Sequence, residues 1–453
     1  MQKVLIANRG EIACRIIRTC RRLNLSTVAV YSEADAQALH VEMADEGQLI
    51  GPGPARESYL LPDRILEAAR VHGADAIHPG YGFLSENPGF ARRVEEAGLI
   101  WIGPRPDTIE AMGDKERARE IAQSAGVPVL PGSPRFAAGE LRGLSEAAER
   151  IGFPLLVKAA AGGGGIGMRR VDAPEPLIET AQATQSMAAK SFGDGTIYLE
   201  RFIPRARHVE AQVFGFGGGD AVHLFERDCS LQRRFQKIIE ESPAPGLPAS
   251  VREEMASAAT LLCKEQRYSG AGTIEFIVDA ETFEFFFLEM NTRIQVEHPV
   301  TEMITGLDLV ELQLELARER LAPFTQSTIH QSGHGIECRL YAEDPSKNFM
   351  PSPGRLSTFR LPETARGVRI DTGFREGDTI SFFYDPMIAK IICHGQTRRD
   401  AIGAMMETLD AISIEGLRSN LKFLKNTMRH PAFLEGEVFT GFVDRYKPEL
   451  IAA

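Results

Sequence analysis

The chain has 453 residues, with 62 acidic against 51 basic side chains and a formal net charge of -11. At roughly 100 to 200 residues per domain this predicts about three domains, and the ordinary apolar and charged content argues against long disorder, collagen or a coiled coil. Excess negative charge repels phosphate backbones and anionic lipid, so neither nucleic acid nor membrane is expected as the main partner, although a local basic patch could hold a small anion.

The six cysteines are scattered without a C-x-x-C pair, which signals neither a disulfide framework nor a zinc cluster and suits a reducing compartment. The amino terminus offers only the short apolar run 4–7 before Asn8, Arg9 and Glu11, too little for a signal peptide. No run approaches the ~18 apolar residues of a membrane span, so a cytoplasmic location is expected.

In the first hundred residues short apolar runs at 4–7, 26–31, 76–77 and 99–102 alternate with amphipathic stretches, the rhythm of a doubly wound α/β unit. Along 11–23, Ile12, Ile16, Cys20 and Leu23 keep a helical period. Arg15, Arg18 and Arg22 fall on another face, which reads as solvated rather than as a subunit contact. Breaks rich in Gly and Pro at 103–106, 131–134, 243–248 and 351–354 mark candidate boundaries and loops.

Lys115 follows the first break, and Lys158 closes an apolar strand directly before a run with glycine at five of the six positions 162–167. Such bare backbone lets several amides approach an anion closely. The spacing of Gly162, Gly164 and Gly167 satisfies G-x-G-x-x-G, but the strand-like run Met168-Arg-Arg-Val171 stands where the dinucleotide motif needs a helix, and no Lys-Ser or Lys-Thr pair makes a Walker loop. A hairpin whose tip folds over a polyphosphate fits better.

Between 226 and 237, Arg227, Arg233, Arg234 and Lys237 form a basic cluster in an acidic chain, pointing to an anionic ligand. Cys229 beside them reads as a thiol lodged near the site rather than a nucleophile, and His208 as a structural histidine. Segments 272–279 and 283–291 read as a hairpin. Pairing centred near Thr282 sets Glu275 across from Glu289, with Asn291 on the same face, a set of hard oxygen ligands suited to magnesium or manganese. The alternation continues as Arg293, Gln295 and Glu297, predicting one packed face and one face that positions a small anion and moves a proton. Arg339 alternates with apolar neighbours and could face a site or a salt bridge; both readings stand.

Together these segments resemble the biotin carboxylase family. The resemblance rests on Ile6-Ala-Asn-Arg-Gly-Glu-Ile12, His78-Pro-Gly-Tyr-Gly-Phe-Leu-Ser-Glu-Asn87, Met112-Gly-Asp-Lys115, Glu226-Arg-Asp-Cys-Ser230 and Glu289-Met-Asn-Thr-Arg-Ile-Gln-Val-Glu-His-Pro-Val-Thr-Glu302, in the family's order across almost the whole chain. It implies an α/β (α+β) architecture in three parts: a doubly wound pre-ATP-grasp domain at 1–112, an ATP-grasp domain at 113–330 with a glycine-rich lid at about 131–203, and a carboxyl-terminal domain at 331–453.

By the same resemblance, ATP contacts fall on Lys115, Lys158, Gly163, Gly164, Gly165, Met168, Glu200, Ile203, His208 and Gln232. The metal positions are Glu275, Glu289 and Asn291. Bicarbonate and biotin fall to Tyr81, Lys237, Arg293, Gln295, Val296, Glu297 and Arg339, of which Lys237, Arg293, Glu297 and Arg339 are catalytic. Two departures from the family pattern are Phe235, where His is expected in many members, and Ile166, where Arg or Lys is usual.

The implied reaction uses ATP, Mg2+ or Mn2+ and bicarbonate. Glu297 deprotonates bicarbonate, which attacks the γ-phosphate to give carboxyphosphate; the carbon dioxide released is taken up by biotin, whose enolate Arg339 stabilises. No Ala-Met-Lys-Met attachment motif occurs, so biotin is expected on a separate carrier protein or domain. A carboxyltransferase and a homodimeric state are the other expected partners. Another ATP-grasp ligase, or a nucleotide-binding subunit without turnover, are the alternative readings.

Overall fold

The computed structural model describes residues 1–160, 167–363 and 365–452, and for Phe192 the backbone alone. At the amino end, β1 (Lys3–Ile6), β2 (Ser26–Ser32), β3 (Glu46–Gly51), β4 (Ala76–His78) and β5 (Ile100–Trp101) form a parallel sheet in the order β3-β2-β1-β4-β5. The order reverses at β1, as the alternating rhythm predicts for a doubly wound unit. Val4, Leu5 and Ile6 are fully buried because helices cover both faces, which is why β1 reads as a continuous apolar run.

Helix α1 (Gly10–Arg22) corrects one expectation. At Arg15 its basic face is docked rather than solvated: Arg15 is buried and bonds Glu302 at 2.8 Å and Asp308 at 2.7 Å, whereas Arg18 and Arg22 stay exposed, Arg18 reaching Asp371 at 2.6 Å and Arg22 reaching Asp308 and Glu311. The acids that neutralise this face lie some 290 to 350 residues away in the chain, so no local pattern could reveal them.

The expected lid contains a three-stranded antiparallel sheet in which β6 (Leu155–Ala159) is flanked by β7 (Met168–Val171) and β8 (Ile197–Arg201). Lys158 pairs with Met168 at the end of the β6–β7 hairpin. The tip, with Gly162, Gly163, Gly164, Gly165 and Ile166, lies outside the described residues.

One eight-stranded sheet forms the centre of the molecule. It runs through β13 (Phe285–Asn291), β12 (Ser269–Asp279), β9 (Ala206–Phe216), β10 (Ala221–Arg233), β11 (Gln236–Ser242) and β14 (His334–Tyr341), then the strands Met387–Gly395 and Val368–Thr372. The pairing of β11 with β14 therefore carries the sheet from the central third of the chain into the last third. The helix His298–Thr305 packs against β10, β11, β14 and Met387–Gly395, which places its first residues beside the middle of the sheet. Among the described residues no helix is long and apolar enough to cross a membrane.

Candidate active site

The β12–β13 hairpin has the expected register. Glu275 pairs with Glu289 and Thr273 with Asn291, and a bulge between Glu275 and Phe276 shifts the pairing beyond it. Two carboxylates placed opposite each other repel, so they need cations. Lys237 on β11 supplies one: its ammonium lies 2.8 Å from Glu275, 2.6 Å from Glu210 and 2.7 Å from Glu297. Burial alone would favour the neutral amine, but the three carboxylates outweigh it and raise the Lys237 pKa well above its ordinary value.

Glu297 is held on both sides, since its second oxygen accepts from the Arg339 guanidinium at 3.0 Å. Burial disfavours its charged form, yet Lys237 and Arg339 keep its pKa far below the usual carboxylate range, so it is ionised at neutral pH. Glu275 behaves alike: burial opposes ionisation, while Lys237 and His208, the latter at 3.0 Å, more than compensate. Glu289 shifts the other way, because burial and the like charge of Glu275 raise it while Lys115 acts in the lowering direction. Among the described residues Glu289 makes no salt bridge, unlike Glu275. A half-buried carboxyl destabilised by its neighbour, beside an amide oxygen and a second carboxylate, fits a hard divalent cation.

Gln295 and Asn291 each donate to Glu275 at 2.9 Å, so both amides point into the same cluster. Arg293 bonds Glu86 at 2.8 Å and the Asn291 side-chain oxygen at 2.9 Å. His208 also meets Gln232 at 3.0 Å, which joins two expected site residues. Lys158 bonds Glu200 at 2.7 Å in the three-stranded sheet, with Met168 partly exposed on the neighbouring strand, and Ile203 packs with Leu130, Ala206 and Phe286. Lys115 is exposed at the first turn of the helix Lys115–Ser124.

A cavity of about 670 Å³ opens beside the cluster, lined by Tyr81, Phe83, Arg293, Val296, Arg339 and Tyr384 among others. Tyr81 donates to Glu11 at 2.5 Å. Arg339 lines this cavity and is ion-paired, one nitrogen on Glu297 at 3.0 Å and its Nε 2.7 Å from Glu240.

Two expectations are corrected. The alternation from Glu289 to Glu297 is not one extended strand: β13 ends at Asn291, and Glu297 is the residue that precedes the helix His298–Thr305. The side chains still converge because the turn folds back on the sheet. The basic cluster of 226–237 is divided: Arg227 is fully buried against Glu210, Arg233 is paired with Glu343, and Arg234 stands exposed at the β10–β11 turn, leaving Lys237 as the member that bonds Glu275 and Glu297. Phe235 shares that turn with φ of 63° and is 77% exposed, so its ring points to solvent.

Glu210, Glu86, Glu11 and Lys390 escaped sequence reasoning. Lys390 alone left a signal, as the one cation in the apolar strand Met387–Gly395. The acids are individually unremarkable, and only tertiary pairing distinguishes them.

Comparison with known proteins matches residues 1–109 to the model of the biotin carboxylase N-terminal domain, 114–322 to that of the carbamoyl-phosphate synthase L chain ATP-binding domain, and 337–445 to that of the biotin carboxylase C-terminal domain. The chain is 50% identical over 444 residues to biotin carboxylase 2 of Bacillus subtilis, covering 98% of this chain and 99% of that one. It is 49% identical to the mitochondrial methylcrotonoyl-CoA carboxylase subunit alpha of Dictyostelium discoideum, covering 99% of this chain but 64% of that subunit, and so spans somewhat under two thirds of such a relative. Among solved structures, the biotin carboxylase domain dimer of Hydrogenobacter thermophilus 2-oxoglutarate carboxylase, in complex with MgADP, ADP and bicarbonate, superposes with a TM-score of 0.90 at 43% identity, covering 100% of this chain and 99% of that one. A biotin carboxylase–beta-gamma-ATP complex from Campylobacter jejuni gives a TM-score of 0.90 at 42% identity, with 98% of each chain covered. With three consecutive domain matches and near-complete coverage of the Bacillus subtilis biotin carboxylase, the chain belongs to the biotin carboxylase family.

Proposed function

We propose that this chain carboxylates biotin borne on a carrier protein or domain, using ATP and bicarbonate by way of carboxyphosphate. The carrying observation is the convergence of Lys237 and Arg339 on Glu297, with Arg339 and the adjoining Val296 at the wall of a cavity large enough for a small ring system. Bicarbonate entering between Lys237, Arg293 and Arg339 would draw these cations away from Glu297. That withdrawal raises the proton affinity of Glu297 and lets it act as the base toward bicarbonate. Lys115, Lys158 and Lys237 would neutralise charge as the γ-phosphate is transferred, since positioning and electrostatics dominate such reactions. Carbon dioxide set free from carboxyphosphate then meets biotin in the cavity, where its phosphate takes the ureido proton and Arg339 stabilises the enolate.

Glu275, Glu289 and Asn291 would hold magnesium or manganese, which when bound neutralises phosphate oxygens. The remaining ATP contacts are assigned to Gly163, Gly164, Gly165, Met168, Glu200, Ile203, His208 and Gln232, and the bicarbonate and biotin contacts to Tyr81, Gln295 and Val296. We divide the chain at 112/113 and 330/331 and place it in the cytoplasm as a homodimer working with a biotin carrier and a carboxyltransferase. Six buried, unpaired cysteines support the reducing compartment.

The test is bicarbonate-dependent ATP hydrolysis with and without free biotin, followed by capture of labelled carbonate on biotin. Stimulation by biotin with label transfer is expected. Hydrolysis needing a different acceptor would favour another ATP-grasp ligase, and nucleotide binding without turnover would favour a regulatory subunit; either result overturns the proposal.

A further inference from the structure

Lys390 lies in the middle of the strand Met387–Gly395, flanked by Ala389 and Ile391, and is fully buried. Burying an ammonium there is costly, and a hydrophobic residue of similar volume would usually serve packing as well. The charge is used at two points belonging to the other two parts of the chain. Its Nζ donates to the Val296 carbonyl at 2.8 Å and lies 2.9 Å from a carboxylate oxygen of Glu11 on α1. The other oxygen of Glu11 accepts from the Tyr81 hydroxyl, and Tyr81, Val296 and Glu11 all line the cavity.

The Val296 carbonyl belongs to the peptide linking Val296 to Glu297, so a bond to it fixes the turn from which the Glu297 side chain departs. Within that turn the His298 ring and the His298 amide both meet the Gln295 carbonyl, at 2.7 and 3.3 Å, but neither restrains the Val296–Glu297 peptide itself, and no side chain caps the helix that follows. On the adjacent strand Lys390 pairs with Arg339, whose guanidinium bonds the Glu297 carboxylate. We infer that Lys390 is a positioning residue: its ammonium fastens the peptide that carries Glu297 to the Glu11–Tyr81 wall of the cavity, setting the distance between the base and the acceptor. This rests on the function proposed above, and it concerns a residue buried behind the cavity lining.

Displacement of a reacting group by about 1 Å costs roughly a hundredfold in rate. The Lys390→Met variant of the full chain should therefore keep its MgADP affinity and its KM for MgATP within twofold, while kcat/KM for bicarbonate falls by tens to a hundredfold. Amide hydrogen exchange of segment 294–300 should accelerate, a readout independent of turnover. Should Lys390→Met strand Glu11 and fail to fold, the double variant Lys390→Met/Glu11→Gln removes the stranded charge, and the same losses are expected in it. A folded variant with unchanged exchange over 294–300, or with ATP and bicarbonate parameters reduced equally, would overturn the inference. If the wild-type chain carboxylates no biotin, the function proposed above fails, and the exchange measurement still decides whether Lys390 restrains the turn.

Discussion

Arg227 offers the sharpest check on how the site is held. It is fully buried, and each nitrogen of its guanidinium has a partner: Nε donates to Glu210 at 2.7 Å, one terminal nitrogen to Gln212 at 2.7 Å and Thr301 at 2.8 Å, and the other to Thr273 at 3.3 Å and Gln295 at 2.9 Å. Removing one partner of a buried ion pair costs about 3–5 kcal/mol. Glu210 keeps Lys237, which moves that figure toward its lower end, but four side-chain oxygens lose a donor at about 1 kcal/mol each where water cannot replace it. Arg227→Met should therefore lose between about 3 kcal/mol, where water replaces all four donors, and about 7 kcal/mol, where it replaces none, a large share of the ~5–15 kcal/mol typical of a folded domain. Urea unfolding followed by fluorescence and circular dichroism would measure it, and Arg227→Lys, with three donors in place of five, should recover only part. A loss below about 1 kcal/mol for Arg227→Met would refute the view that this guanidinium organises Glu210 and Gln295.

Three further outcomes follow from the same geometry. Glu297→Gln should lower biotin carboxylation by about 10²–10⁴-fold, the usual worth of a positioned base, with MgADP affinity changed only a few-fold in calorimetry. Glu289→Gln should weaken MgADP at least tenfold, about 1.4 kcal/mol, yet leave metal-free ADP binding unchanged; equal loss with and without metal would remove Glu289 from the metal set. His40 is buried with its ring 3.4 Å from the Val30 carbonyl, and burial pushes its pKa from 6.5 down to about 4. The folded state resists a proton that the unfolded chain accepts, so this contribution is full above pH 6.5 and is lost as pH falls toward 4, about 3 kcal/mol in all. Unfolding titrations of His40→Gln against the wild type should show a difference that changes across that window and not between pH 7 and 8.

Much of the fold was legible because its signals are local. The buried run of β1 and the Glu275–Glu289 pairing follow from periodicity and turn position, since a strand alternates faces every residue and a short turn fixes the register. Arg339 was an open choice between site and salt bridge, and tertiary structure shows salt bridges to Glu240 and Glu297 at the edge of the cavity.

The amino-acid order by itself determined which short elements form and which residue types they carry. Only the folded chain decided the fate of each charge. Arg15, Arg227 and Lys237 look alike in sequence, but one fastens α1 to Glu302 and Asp308, one is buried behind the site, and one stands among three acids within it. Secondary structure is set by neighbours a few positions away, whereas the energy of a buried charge is set by partners such as Glu302 for Arg15, 287 residues apart. That separation is why a lone lysine in an apolar strand, Lys390, could be noticed in the sequence but given a role only in three dimensions.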